Sequence, residues 1–270
     1  MPTSLDAAAT AEAIAGNLNL IEFTREDVRW QRPHTILEVD GVMLFAGASD
    51  FPAYNNGVHR ADDTTPGAEV IARATEFFAA RNRGYSAWIR DTGEDEDLRA
   101  AAEAAGLAGF GNSPQMICRE RLPDRPLPEG VEIRMVTDAA GAATYADVCG
   151  PAYVSLGSPE EATRSHFEGP TAMMAPHVHS AIAFLDGAPV SAAQILMSHG
   201  IAGVYWVASL EAARGRGIAE AVTRHVTNLG FDLGATNVQL QASPMGEPVY
   251  LRMGYEELHR REFFLAGPPT

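Results

Sequence analysis

Apolar and polar positions follow two periods along this chain, and the changes of period mark its elements. Residues 131–136 alternate as a strand, and Thr137-Asp138 can cap a helix running to about Cys149. Ser158-Pro159-Glu160-Glu161 starts another helix, with Ser as cap, Pro in the first position and acids in the first turn. Two strand-like runs, 178–185 and 189–197, flank Asp186-Gly187, a pair suited to a tight hairpin turn. Residues 201–208 read as a third consecutive strand. Ile218, Ala221, Val222, Val226 and Leu229 share one face at 3.6-residue spacing and predict a helix over 217–230. A strand over 237–242, a helix over 247–253 stopped by Gly254, and a last strand over 260–265 complete this half.

The first half has a similar back end. A helix is expected over 66–81, with Ile71, Thr75 and Phe78 on one face. A strand over 85–90, a helix over 94–105 stopped by Gly106, and a strand over 115–121 follow. Helix, strand, helix, Gly, strand thus occurs twice in the same order, as an internal duplication would produce. An amphipathic helix is expected over 5–15. Between the halves, Pro123, Pro126 and Pro128 deny both helix and central strand. The expected division is a domain over 1–122, a Pro-rich linker over 123–130 and a domain over 131–270. The fold class is α/β, a mixed α+β arrangement in which each domain is a mostly antiparallel sheet flanked by helices.

Composition narrows the chemistry. All 20 basic residues are arginine, so lysine is absent. That excludes a phosphate-loop NTPase, a Schiff-base or pyridoxal enzyme and a protein kinase, each of which needs a lysine amine. The net charge of −15 argues against nucleic acid or an anionic membrane as partner and tolerates a cationic substrate. Cys118 and Cys149 form no disulfide framework, no basic region precedes an apolar run at the N-terminus, and no stretch reaches membrane-span length. A reduced, cytoplasmic setting is expected.

The most informative stretch runs from Val207 to Ala219 and joins a strand to a helix. Its glycines allow a tight turn, and the first helical N–H groups lack internal partners. Such a loop can cradle a phosphate, and Arg214 and Arg216 add positive charge beside it. As a dinucleotide fingerprint it fails, because Glu220 stands where the third glycine belongs and the loop follows a hairpin. A plain helix start would leave two arginines interleaved with two glycines unexplained.

Arg214-x-x-Gly217-x-Ala219 resembles the pyrophosphate loop of the GCN5-related N-acetyltransferases. A second segment, 243–255, resembles that family's later motif, in which a tyrosine lies four residues before a glycine followed by an aromatic: Tyr250, Gly254 and Tyr255. Ser243 stands where relatives often have asparagine. The resemblance covers about residues 130–265. It implies tandem acyl-CoA N-acyltransferase-like domains, acetyl-CoA as cosubstrate, an amine acceptor, and no metal. Carried over, the backbone of Val207, Ala208 and Ser209 would hold the pantetheine and the acyl carbonyl. Arg214, Gly215, Arg216, Gly217, Ile218 and Ala219 would hold the pyrophosphate, and Tyr250 would protonate the leaving thiolate. Polyamines and aminoglycosides are cationic acceptors compatible with the charge. The rival readings are a non-catalytic acyl-CoA-binding module and, more remotely, a nucleotide-binding oxidoreductase.

Several further residues are weighed. Glu211 reads as a solvated loop acid, and Cys149 as a buried helix residue. His177 and His179 share a strand face without a Cys or acid at ligand spacing, and His199 and His225 read as exposed. In the first half the cradle position holds Asp62-Asp63-Thr64-Thr65-Pro66, which should repel pyrophosphate, and Ala102 falls at the Tyr250 position. That half is expected to be a degenerate copy without a CoA loop. Its segment 51–60 suits either a binding rim or a turn built on Asn-Gly.

Overall fold

Asp6 opens the first helix, α1 (Ala7–Trp30), by accepting the Ala9 N–H at 2.8 Å. The structure, a computed structural model, describes residues 3–169 and 171–269. β1 (Thr35–Val39) and β2 (Val42–Ala46) form a hairpin on Asp40-Gly41, both residues at positive φ as a tight hairpin turn requires. β3 (Asn56–Arg60), α2 (Gly67–Ala79), β4 (Tyr85–Arg90), α3 (Glu96–Ala104) and β5 (Ala108–Cys118) follow. Next come β6 (Val131–Met135), α4 (Ala139–Val154), α5 (Glu160–Arg164), and the meander β7 (Val178–Leu185), β8 (Ala188–Ser198), β9 (Ile201–Ser209). The chain finishes with α6 (Ile218–Asp232), β10 (Val238–Gln241), α7 (Glu247–Met253) and β11 (Glu256–Ala266).

Contacts divide the chain into two units: residues up to Gln115 with those from Glu257 onward, and Met116–Glu256. The expected linker over 123–130 therefore lies inside the second unit, and the last strand, expected with the second domain, counts with the first. In the first unit the strands lie in the order β1-β2-β3-β4-β11-β5. Val70, Ile71, Ala74 and Phe78 of α2 pack on Leu44, Val58, Ala87 and Ile89 of the sheet. In the second unit the order is β10-β9-β8-β7-β6, mostly antiparallel, with β9 and β10 parallel. Ile218, Val222 and Val226, part of the apolar face expected for α6, pack on Ala193, Ile195, Val204 and Leu240. Burial of each large apolar side chain contributes roughly 1.5–3 kcal/mol.

Two segments differ from their sequence reading for clear reasons. α1 is twice as long as expected: its inward side carries the buried Asn17 and Thr24, and the buried Gln31, which caps its end, continues that row at seven-residue spacing. Asn17 donates to the Arg60 and Ala61 carbonyls, Thr24 meets His59 Nε2 at 3.1 Å, and Gln31 Oε1 accepts the Ala48 N–H at 2.9 Å. A polar inner stripe of this kind erases the amphipathic signal. Segment 51–60 does not form an Asn-Gly turn: Asn55 and Asn56 are fully buried, Asn56 is the first residue of β3, and Phe51, Pro52 and Tyr54 before them are half-buried.

The Pro-rich segment lies along α6. Leu122 exchanges hydrogen bonds with the Asn228 amide at 2.9 and 3.0 Å. One turn back, Arg224 donates to the Pro123 carbonyl at 3.2 Å. Arg125 pairs with Glu220 at 3.0 Å, and Pro128 ends the run beside Gly217.

Candidate active site

β9 carries an irregularity near its end. Ala192 faces Ala208 and Gln194 faces Tyr205, so Trp206 and Val207 together stand opposite Ala193. This is a β-bulge, and Trp206 takes a left-handed φ of 48° to make it. Its carbonyl is held by the Tyr145 hydroxyl at 2.9 Å and more weakly by Cys149 Sγ at 3.7 Å, both on the same face of α4. On the other side of β9, pairing with β10 runs from Val238↔Ala202 to Leu240↔Val204 and stops. Among the described residues, the edge of β9 from Tyr205 to Ser209 has no strand beside it there. Two parallel strands that part at their carboxyl ends leave a crevice of the kind in which open α/β sheets bind ligands. Val207, Ala208 and Ser209 lie on this free edge. The Ser209 hydroxyl meets that of Ser191 at 2.6 Å.

The loop after β9 ends the crevice. Glu211–Ala213 makes one 3-10 turn, Arg214 is extended, and Gly215 and Gly217 both adopt φ of +75°. Gly217 is the cap residue of α6, and no side chain caps that helix. The N–H groups of Ile218, Ala219 and Glu220 therefore have no partner within the helix. A left-handed φ at Gly217 is strained for any residue with a Cβ. Arg214, Gly215, Arg216 and Gly217 are exposed, Ala219 is partly so, and Ile218 is buried in the core. Arg214 is oriented by Ser155 at the end of α4, whose Oγ accepts Nη2 at 2.9 Å. The Glu220 carboxylate is neutralised by Arg224 at 2.8 Å and Arg125 at 3.0 Å, so positive charge prevails at this helix start. The arrangement can hold a diphosphate through backbone donors and two arginines. Glu211 is exposed, as expected of a loop acid.

β10 leads to the other wall. Ser243 closes the turn into α7: its Oγ accepts the Gly246 N–H at 3.2 Å, and its carbonyl accepts the Gly246 and Glu247 N–H groups, both at 2.9 Å. Its hydroxyl is thus engaged locally. Tyr250 is buried, with its ring against Gly246 and 5.9 Å from that of Tyr255. Burial raises the Tyr250 phenol above its ordinary pKa, so it is fully protonated at neutral pH. The neighbouring phenols differ from it in one respect. Tyr255 is bonded to Thr227 Oγ1 at 2.7 Å and Tyr145 to the Trp206 carbonyl, whereas the Tyr250 hydroxyl has no hydrogen bond among the described residues. The expected site residues thus lie on the end of β9, on the loop after it with the start of α6, and on the segment from Ser243 into α7, all at or beyond the carboxyl ends of two adjacent parallel strands.

Sequence reasoning missed the Trp206 bulge, its anchors Tyr145 and Cys149, and Ser155. The i, i+4 spacing of Tyr145 and Cys149 was the one local signal that they share a task. Cys149 is fully buried and burial raises its thiol well above the usual range, which fits its reading as an inert helix residue.

The first unit repeats the geometry with the crevice filled. β3 and β4 pair in parallel at Gly57↔Ser86 and Val58↔Ala87, then part. The buried Arg60 guanidinium, on β3 beyond the last pair, contacts Asp95 at 2.9 Å and Asp97 at 2.8 Å. Asp97 also accepts the Gly67 N–H at 2.6 Å, so a carboxylate of the chain occupies the start of α2. The backbone of Asp97 and Leu98 lies about where a Gly67 Cβ would stand, at 2.5–2.6 Å. Asp62 binds the Thr64 N–H of its own loop at 2.9 Å.

No family model matches the chain, and no curated protein matches it. Solved structures do. A GCN5-related N-acetyltransferase from Kribbella flavida aligns over 96% of this chain and 95% of its own, with 20% identity and a TM-score of 0.69. One from Sphaerobacter thermophilus aligns over 97% and 92%, with 16% identity and a TM-score of 0.62. A tandem GNAT protein from the clavulanic acid biosynthesis pathway aligns over 100% and 98%, with 16% identity and a TM-score of 0.59. At these identities the likeness carries the fold. Among the described residues no helix is long and apolar enough to cross a membrane.

Proposed function

This chain has the two-unit fold of the GCN5-related N-acetyltransferases, and from that premise we propose that its second unit moves an acetyl group from acetyl-CoA to an amine. The parting of β9 and β10 above an uncapped, arginine-flanked helix start is the observation that supports this reading most. The free edge of β9 suits the amide groups of pantetheine, which can hydrogen-bond to it as an added strand would. The start of α6, with Arg214 and Arg216, suits the diphosphate. Attack by the amine forms a C–N bond at the thioester carbonyl and breaks the C–S bond. Backbone N–H at the end of β9 stabilises the oxygen while it carries charge. Tyr250 gives its proton to the leaving sulfur and recovers one from the ammonium formed on the acceptor, directly or through solvent. The chain's net charge of −15 suits a cationic amine as acceptor.

We assign no acyl-CoA site to the first unit. Arg60 and Asp97 fill the positions that the thioester arm and the diphosphate would take there. In the second unit, acetyl-CoA should raise the melting temperature of the wild type but hardly that of Gly217→Glu, with circular dichroism confirming that the variant is folded. Equal shifts would sink the cradle assignment. Release of free CoA in a screen of polyamines, aminoglycosides and amino acids should then single out the acceptor class. Binding without release across the whole screen would favour a non-catalytic acyl-CoA module.

A further inference from the structure

The Trp206–Val207 peptide is oriented by a side chain that lies outside the acyl-CoA crevice. Trp206 adopts φ of 48°, uncommon and strained for a bulky residue, so its surroundings must enforce it. The enforcing contact is the Tyr145 hydroxyl, which donates to the Trp206 carbonyl at 2.9 Å, with Cys149 Sγ on the same oxygen at 3.7 Å. Rings of Tyr153, His166 and Phe167 surround the Trp206 indole, with centroids 4.7, 4.7 and 5.4 Å away. Tyr145 is fully buried, and burial raises its phenol well above the ordinary range, so it remains a donor throughout the working pH range.

A trans peptide points its C=O and its N–H in opposite directions. A bond that fixes the Trp206 oxygen on α4 therefore fixes the Val207 N–H facing away from α4. Val207 lies on the stretch of β9 where pairing with β10 has ended. We propose that Tyr145 is a positioning residue for acyl transfer: by holding the Trp206 carbonyl it aims the Val207 N–H at the thioester carbonyl oxygen. This rests on the acyl-transfer reading of the second unit. Tyr145 itself touches no reacting atom. Its work is preorganisation, since an N–H that needs no reorientation stabilises developing charge most effectively.

The test needs no acceptor. Acetyl-CoA labelled with carbon-13 at the thioester carbonyl is titrated into the full chain and followed by NMR. Bound to the wild type, the carbonyl signal should move downfield, as it does when a donor polarises the C=O. In Tyr145→Phe the dissociation constant should stay within about twofold, while the downfield shift falls by more than half. Once the acceptor is known, kcat should fall with the KM for acetyl-CoA unchanged. An undiminished shift in Tyr145→Phe would overturn the proposal, because a merely structural phenol could weaken folding without retaining binding and losing polarisation together. If Tyr145→Phe does not fold, Cys149→Val removes the weaker donor and should reduce the shift by a smaller amount; no reduction would overturn the assignment equally. A wild type that binds no acetyl-CoA would overturn the acyl-transfer reading and this assignment with it, whereas binding without a downfield shift would overturn this assignment alone.

Discussion

Tyr250 and Tyr255 lie five residues apart and are both buried, yet only one has a bonded hydroxyl. Tyr255→Phe removes a bonded phenol from Thr227, whose hydroxyl keeps only its bond to the Thr223 carbonyl at 2.8 Å, whereas Tyr250→Phe removes a group that bonds nothing among the described residues. Tyr250→Phe should therefore change stability by no more than about 0.5 kcal/mol in urea unfolding. Its turnover should fall by about 100-fold or more, the usual worth of a positioned acid, with acetyl-CoA affinity kept. Unchanged turnover would remove Tyr250 as the acid. The pH dependence has a definite sign. A proton donor is lost as pH rises through its pKa, and burial moves that of Tyr250 upward, so no alkaline loss from this group should appear below pH of about 10. The offset from Gly254 made Tyr250 legible in the sequence. Trp206 was not legible, because a bulge depends on the register between two strands, which no single run of residues records.

At the scale of elements, α6 shows what a pattern can and cannot reveal. Its apolar face was readable from spacing alone. The opposite side carries Glu220, Arg224 and Asn228, one turn apart, and reads as ordinary solvated surface. In the structure each of the three contacts the Pro-rich segment. Those prolines lie outside helix and sheet, as expected, yet the segment runs along α6, because composition reports what a segment cannot form and not what it lies against. Asn228 satisfies both backbone groups of the buried Leu122. Asn228→Ala should cost about 1–3 kcal/mol in chemical denaturation, since two buried polar groups lose their partner. Asn228→Asp should lie between the two, retaining the acceptor and losing the donor. The hairpin at Asp40-Gly41 carries the same turn pair as Asp186-Gly187, but the sequence reading passed over β1 and β2. The full length of α1 was not legible, because its buried side is polar and pairs with groups distant in sequence.

At the scale of the whole molecule, the duplication suggested by the element order matches two units with the same parting of parallel strands. The division between them escaped the sequence because β11 leaves the second unit and pairs with β4 of the first. Buried titratable groups give the fold a particular response to acid. Burial, aided by the Arg261 charge, lowers His59 to about 3, and burial also lowers His259 despite its Asp91 neighbour. Both are neutral when folded, while the unfolded chain takes up protons near pH 6.5. Their contribution is complete above that value and lost as pH falls, by about 5 kcal/mol for His59 once pH reaches about 3. Asp95 follows at lower pH. Burial alone would raise its carboxyl, but Arg90 and Arg60 hold it at about 2. That contribution, about 2 kcal/mol, is present above the ordinary carboxylate value and disappears between about pH 4 and 2. Unfolding free energy should therefore begin to decline below pH 6.5, ahead of the carboxylates, and His59→Gln should flatten that first slope. A profile flat from pH 6.5 to 4.5 would contradict the neutral buried imidazoles.

The excursion of β11 also bears on how the molecule is made. A ribosome delivers residues in order, and the strand that lies between β4 and β5 emerges only after both of them. Every strand of the second unit's β10-to-β6 order has left the exit tunnel before then. During synthesis the unit encoded second can thus complete its sheet first, while the unit encoded first waits with a gap between two of its strands. The unit encoded second can then fold ahead of the unit encoded first, the reverse of the usual N-to-C order of domain folding.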